Sequence, residues 1–156
     1  MADPLAPQPP SDVALPPHAY VPGLTTRHDP QWFSPLHASV REGMSVADLA
    51  QSRSFLAGLT FYDHGYFWEA HEALEPVWMA LPAGGPDRAS VQAVIQLANA
   101  ALKLKMERPN ATRRLCEEVR KHLAASQGAT LPVPFARVRT HCDRLEEQAL
   151  TRQNAL

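Results

Sequence analysis

Apolar residues recur along this chain at helical spacing, and no segment shows the period of two that marks a strand. Leu49, Phe55, Leu56, Leu59 and Tyr62 predict a helix running to about His64, with a break near Ser52–Ser54. Ser45 stands where its N-cap belongs, with Asp48 in the position of a capping-box acid. Gly65 is expected to end that helix in the left-handed conformation and to fold the next one back antiparallel. Within Gly65–Trp78, Phe67, Ala70, Leu74 and Val77 form an apolar stripe. Beside it, at about 100° per residue, Trp68, His71, Glu75 and Trp78 share a sector about 80° wide. Glu72 and then Glu69 lie further round, toward solvent. Pro76 is awkward there, since an interior proline costs about 3 kcal/mol. It predicts either a kink that frees the Glu72 carbonyl or an early end to the helix.

Leu81–Pro86 reads as a loop. Asp87 is placed to cap a helix that runs to about Arg108, before Pro109. Val91, Ile95, Ala98 and Leu102 form its apolar face, while Gln92, Gln96, Asn99 and Lys103 share a sector about 60° wide. Arg88, Lys105 and Glu107 read as ordinary surface chemistry. Asn110 is expected to cap a further helix, with Leu115, Val119 and Leu123 inward. Phe135, Val138, Cys142, Leu145 and Ala149 make a narrow packing seam on a last helix. The pattern predicts an all-α, single-domain bundle of about five helices over residues 45–156.

Proline changes the picture upstream. Nine of the fifteen prolines lie in Met1–Pro35, which rules out regular helix there. Residues 1–14 are expected to be a disordered tail and residues 15–44 an extended N-terminal arm. In the arm, Pro22-Gly23 suits a type II turn and Asp29–Val40 suits a short helix around Trp32, Phe33 and Leu36. Tyr20 and Trp32 are too apolar to leave in water, so the arm is expected to pack on the bundle and partly cover the mouth of the polar site.

At 156 residues and 45% hydrophobic content the chain is long enough for one core. It has no apolar run of the roughly 20 residues that span a membrane. No basic segment followed by an apolar one begins it, so no secretory signal is expected. A net charge of −1 with both signs dispersed gives no footprint for nucleic acid. Cys116 and Cys142 are isolated in sequence and expected to be reduced and buried, as in a cytoplasmic protein.

His71-x-x-x-Glu75-x-x-Trp78, inside YFWEAHEALEPVW, resembles the signature of domain-of-unknown-function family 309, a bacterial and archaeal group of small helical proteins. Gln92-Ala93-Val94-Ile95-Gln96-Leu97-Ala98 is similar to that family's second helical block, and the resemblance covers roughly Phe55 to Leu123. It implies a metal-binding role for the His/Glu motif and brings no settled activity with it.

Three readings of the polar stripes are open. In the first, His71 and Glu75, four apart on a helix, hold a divalent metal ion, with Glu72, His28, His37 or His64 as further donors. Lys103 opposes this, because its ammonium repels a cation and would neutralise Glu75 or Glu72. In the second, a metal-free pocket formed by Trp68, Glu72, Trp78, Gln92, Gln96 and Lys103 around the same pair binds a small polar molecule. A carboxylate on one imidazole nitrogen then leaves the other ready for proton transfer, as in hydrolysis. In the third, the groups are a buried hydrogen-bond network in a structural or partner-binding protein. No nucleophile motif designates a catalytic residue. His18, His122 and His141 read as surface or satisfied core.

Overall fold

The computed structural model describes residues 3–7 and 12–155. A 3-10 turn (Pro30–Phe33) leads into α1 (Ser34–Ala38), followed by α2 (Val46–Gln51), α3 (Arg53–Asp63), α4 (Phe67–Ala80), α5 (Pro86–Lys105), α6 (Pro109–Ala124) and α7 (Phe135–Ala155). The fold is all-α, with no strand among the described residues. Among the described residues the α-helices number seven rather than about five, for two reasons. The short α1 stands by itself, and the helix expected over Ser45–His64 divides at Ser52. That residue is extended (ψ 147°), ends α2, and accepts the Phe55 N–H on its hydroxyl to cap α3.

Local chemistry sets most other boundaries. Ser45 caps α2 by accepting the Asp48 N–H. Gly65, at φ +84°, ends α3 in a Schellman turn: the Tyr66 N–H donates to the Phe61 carbonyl and the Gly65 N–H to that of Tyr62. Two expected caps are not used. Pro86 and Pro109 open α5 and α6 themselves, with Gly85 and Arg108 as N-caps that offer no side-chain bond. Proline suits the first helical position because its missing N–H has no partner there anyway. Asp87 and Asn110 therefore fall inside the first turn. The Asp87 carboxylate instead accepts the N–H groups of Thr130 and Leu131, tying the α6–α7 connection to the start of α5.

Helix α4 packs between α3 and α5, and α6 and α7 cover the far side of α5. The core runs through Phe55, Leu59, Phe61, Leu74, Val77, Val91, Val94 and Leu97, all essentially inaccessible. Cys116 and Cys142, distant in sequence, meet between α6 and α7, each sulfur 3.5–3.6 Å from the other's carbonyl oxygen. The hydrogen bond to Cys142, together with burial, raises the Cys116 pKa. Among the described residues no helix is long and apolar enough to cross a membrane.

The N-terminal arm lies on the bundle. Leu24 and Thr25 donate their N–H groups to the Val21 carbonyl around Pro22-Gly23, with Gly23 at φ +84°, as the type II turn requires. Tyr20 meets the Trp68 ring edge-on at 5.1 Å, and Trp32 lies 6.1 Å from Phe61. Within the tail, residues 1–2 and 8–11 lie outside the described residues. Residues 3–7 are seated against α3 and α7, with Leu5 and Ala6 buried. An isolated proline-rich stretch has no reason to order, but these residues find a preformed groove.

Helices α3 and α4 approach closely at Gly58. A Cβ built there would fall 2.3 Å from Cγ of the fully buried Leu74. Helix propensity favours Gly→Ala by about 1 kcal/mol, but overpacking a filled core costs about 1–3 kcal/mol. Gly58→Ala is thus expected to be net destabilising, lowering the midpoint of thermal unfolding, whereas Gly→Ala on an open helical face would raise it.

Candidate functional site

Helices α4 and α5 run antiparallel from a short loop, so their register follows from that loop. Trp78 faces Arg88, whose guanidinium carbon lies 3.9 Å from the indole centroid. Seven residues back on α4 and seven forward on α5, about 10.5 Å of rise, bring His71 level with Ile95 and Gln96. The result is a cleft of about 550 Å³ between the two helices, closed at one end by Gly84–Gly85 and along one side by His122 and Ala125. His71, Glu75, Trp78, Gln92, Gln96 and Asn99 all line it, as the two polar stripes predict. His71 Nε2 is 2.9 Å from Glu75 Oε2, and the Asn99 amide donates to Gln96 Oε1 at 3.2 Å.

Three expected members are elsewhere. Lys103 does not line the cleft and makes no ion pair with Glu72 or Glu75. A further seven residues along α5 carry it past the first residue of α4, so the register that joins His71 to Gln96 takes Lys103 away. Trp68 turns to the arm, packing with Tyr20, His28 and Phe33. Glu72 lies on the other side of α4, in a second depression with His37, Arg41 and Pro76; Glu75 alone borders both.

Pro76 causes neither a break nor an early end, and α4 continues to Ala80. The Glu72 carbonyl, deprived of its N–H partner, lies 3.3 Å from His37 Nε2. The other histidines named as metal donors are engaged elsewhere: His64 Nδ1 lies at the Thr60 carbonyl, and His28, in the arm, pairs with Glu69. The arm residues do not line the α4–α5 cleft, so the expected cover over its mouth is absent among the described residues.

The sequence reading missed two groups in the cleft. Arg88 stands four residues before Gln92, so the spacing Arg88–Gln92–Gln96 was available, but a charged residue near a helix start reads as surface. Its Nε is buried without a hydrogen-bond partner among the described residues. His122 comes from α6, which no pattern along α4 or α5 could reveal. Burial lowers its pKa below 6.5.

A second polar centre lies on the opposite side of α4. Glu69, expected toward solvent, is completely buried. Its Oε2 accepts the Tyr20 N–H at 2.7 Å and lies 2.5 Å from Nε2 of His28, whose side chain is 2% exposed. The helical wheel failed here because it assigned water to a face that the arm covers.

Residues 55–115 match the model of a family described as Domain of unknown function (DUF309). No curated protein and no solved structure matches the chain. The DUF309 match runs from α3 through the start of α6 and includes every cleft residue except His122 and Ala125. It also includes Glu69, whose two partners, Tyr20 and His28, lie upstream of the matched residues.

Removing one member of a buried hydrogen-bonded pair costs about 1–3 kcal/mol, because the other is left without a partner. Glu69→Ala is therefore expected to lower stability by an amount in that range and to speed tryptic cleavage after the exposed Arg27. Denaturant unfolding and timed proteolysis would read the two effects. For His122 the folded state binds a proton less readily than the unfolded chain. Its contribution to stability is thus complete above about pH 6.5 and is lost as the pH falls below that value. The fall in melting temperature on acidification should be smaller in His122→Gln than in the wild-type chain.

Proposed function

We propose that the α4–α5 cleft binds a small polar molecule carrying an anionic group, with His71 and Glu75 as its proton-handling pair. The observation that carries this reading is the convergence in one open cleft of a paired imidazole and carboxylate with a guanidinium that has no carboxylate partner among the described residues. Arg88 holds its guanidinium carbon over the face of Trp78, and a guanidinium placed there carries several N–H donors suited to a planar or tetrahedral anion. Gln92, Gln96 and Asn99 supply neutral hydrogen-bonding groups between the charged ends. With its Nε2–H directed at Glu75, His71 keeps Nδ1 as an acceptor able to take a proton from water or from a ligand hydroxyl. Among the described residues the lining contains no serine, threonine or cysteine. Water is accordingly the nucleophile in any hydrolytic step.

Two features weigh against a buried packing network. Glu75 is 51% exposed and His71 29%, so water already solvates the pair and its net contribution to stability is small. A resident metal ion is less well supported. His71 and Glu75 converge, but zinc takes about four ligands, and among the described residues no group of three or more histidine, cysteine or acidic side chains could hold an ion. A metal at this pair would need ligand or water oxygens to complete its shell.

A melting-temperature screen against phosphates, small carboxylates and divalent cations tests these readings. A ligand at a hundredfold excess over Kd adds about 2.7 kcal/mol, a shift of several degrees. The expected result is a hit among the anions, erased by Arg88→Ala and by His71→Ala, with His71→Ala alone costing the free protein less than about 1 kcal/mol. A cation hit that survives Arg88→Ala and disappears in His71→Ala would establish the metal reading instead. No hit, with large losses of stability in both variants, would make the cluster structural.

A further inference from the structure

The seated N-terminal segment is held as a bound peptide is held. Both oxygens of Asp63, the last residue of α3, accept consecutive backbone N–H groups, from Leu5 at 2.7 Å and Ala6 at 2.8 Å. From α7, Arg137 donates to the Pro4 carbonyl at 2.9 Å, and His141 Nε2 lies 2.7 Å from the Asp3 carbonyl. The His141 ring is itself oriented by the Tyr62 hydroxyl, 3.2 Å from its Nδ1. Four consecutive residues are thus held through their main chain by side chains of two helices. The segment's own side chains add shape: Leu5 and Ala6 are 3% and 7% exposed. Pro4 has no N–H to satisfy, and none is needed at that point. A cavity of about 340 Å³, bordered by Phe55, Leu59, Pro132 and Pro134, continues beside Leu5–Pro7.

This is the chemistry of a linear-peptide site: backbone bonds for affinity, and one apolar and one small side chain for selection. The groups that bind the segment lie 57 to 138 residues away from it in sequence. They make no distinction between a segment supplied by the same chain and one supplied by another. We propose that the groove between α3 and α7 takes residues 3–7 of a second copy, joining two chains by exchange of their N-terminal segments. Every contact formed in cis is available in trans. The balance between them is set by concentration against the effective concentration of the attached segment. The occupant is a second copy rather than an arbitrary peptide because that copy carries the one sequence seen to satisfy the site.

Complementation between two full-length variants tests the proposal. Leu5→Asp places a charge where Leu5 is buried, spoiling the segment while leaving the groove intact. Asp63→Ala removes both acceptors, spoiling the groove while leaving the segment intact. Each variant alone should remain monomeric by light scattering. An equimolar mixture should form a heterodimer of twice the 17.2 kDa chain mass, held by one intact segment in one intact groove. A mixture that stays monomeric at concentrations where the wild-type chain also stays monomeric would overturn the proposal, as would dimerisation of either variant alone. Should Asp63→Ala fail to fold, a fluorescent peptide of residues 1–7 added to Leu5→Asp decides the same question. Polarisation that rises and is competed by unlabelled peptide supports the site, and no rise refutes it.

Discussion

A carboxylate with no access to water depends on the fold for its hydrogen bonds, and at Glu69 this fold supplies them to Oε2 while Oε1 has no partner among the described residues. It sits on α4 beneath the arm, and its partners are the Tyr20 N–H and the His28 ring. Neither is on a neighbouring helix. The arm therefore cannot leave without exposing a buried charge and the aromatic surface of Trp68, Phe33 and Trp32 together. Proline content keeps the arm before Asp29 from forming helix, yet two polar contacts to Glu69 and several ring contacts give it a fixed path across the bundle. With α3 on one side at Gly58, α5 on another and the arm on a third, α4 keeps open its cleft-facing strip and the depression around Glu72.

That strip is unlike the Glu69 centre in the property that matters most. Glu69 and His28 are sealed; His71 and Glu75 are partly solvated and line a cleft with a guanidinium that is unpaired among the described residues. These two of the three histidine–carboxylate pairs made by α4 glutamates thus differ in exposure. The sealed pair fixes the arm, while the open pair has room for something else to bind. Pro76 adds a third polar contact on the same helix, since the carbonyl it deprives of an N–H is reached by His37 from α1's last turn.

The sequence by itself determined the class of the fold and the location of the cleft. Hydrophobic spacing of three and four along one chain segment is a local property, and so are the Ser45 and Ser52 caps, the Schellman turn at Gly65 and the Pro22-Gly23 turn. The His71/Glu75/Trp78 and Gln92/Gln96/Asn99 stripes were legible because two consecutive helices joined by a short loop must face each other, whatever else surrounds them. Even the loss of Lys103 from the cleft follows from counting residues back from that loop.

Tertiary structure decided what lies beyond those two helices. A helical wheel divides a helix into core and solvent, but it cannot assign a face that a distant, non-periodic segment will cover. Glu69 under the arm and Leu5 under α3 and α7 are both of this kind. His122 reaches the cleft from α6, and Cys116 meets Cys142 across 26 residues. Such contacts depend on where whole elements pack, and the free energy that selects among packings is distributed over the core rather than written at either end of the contact.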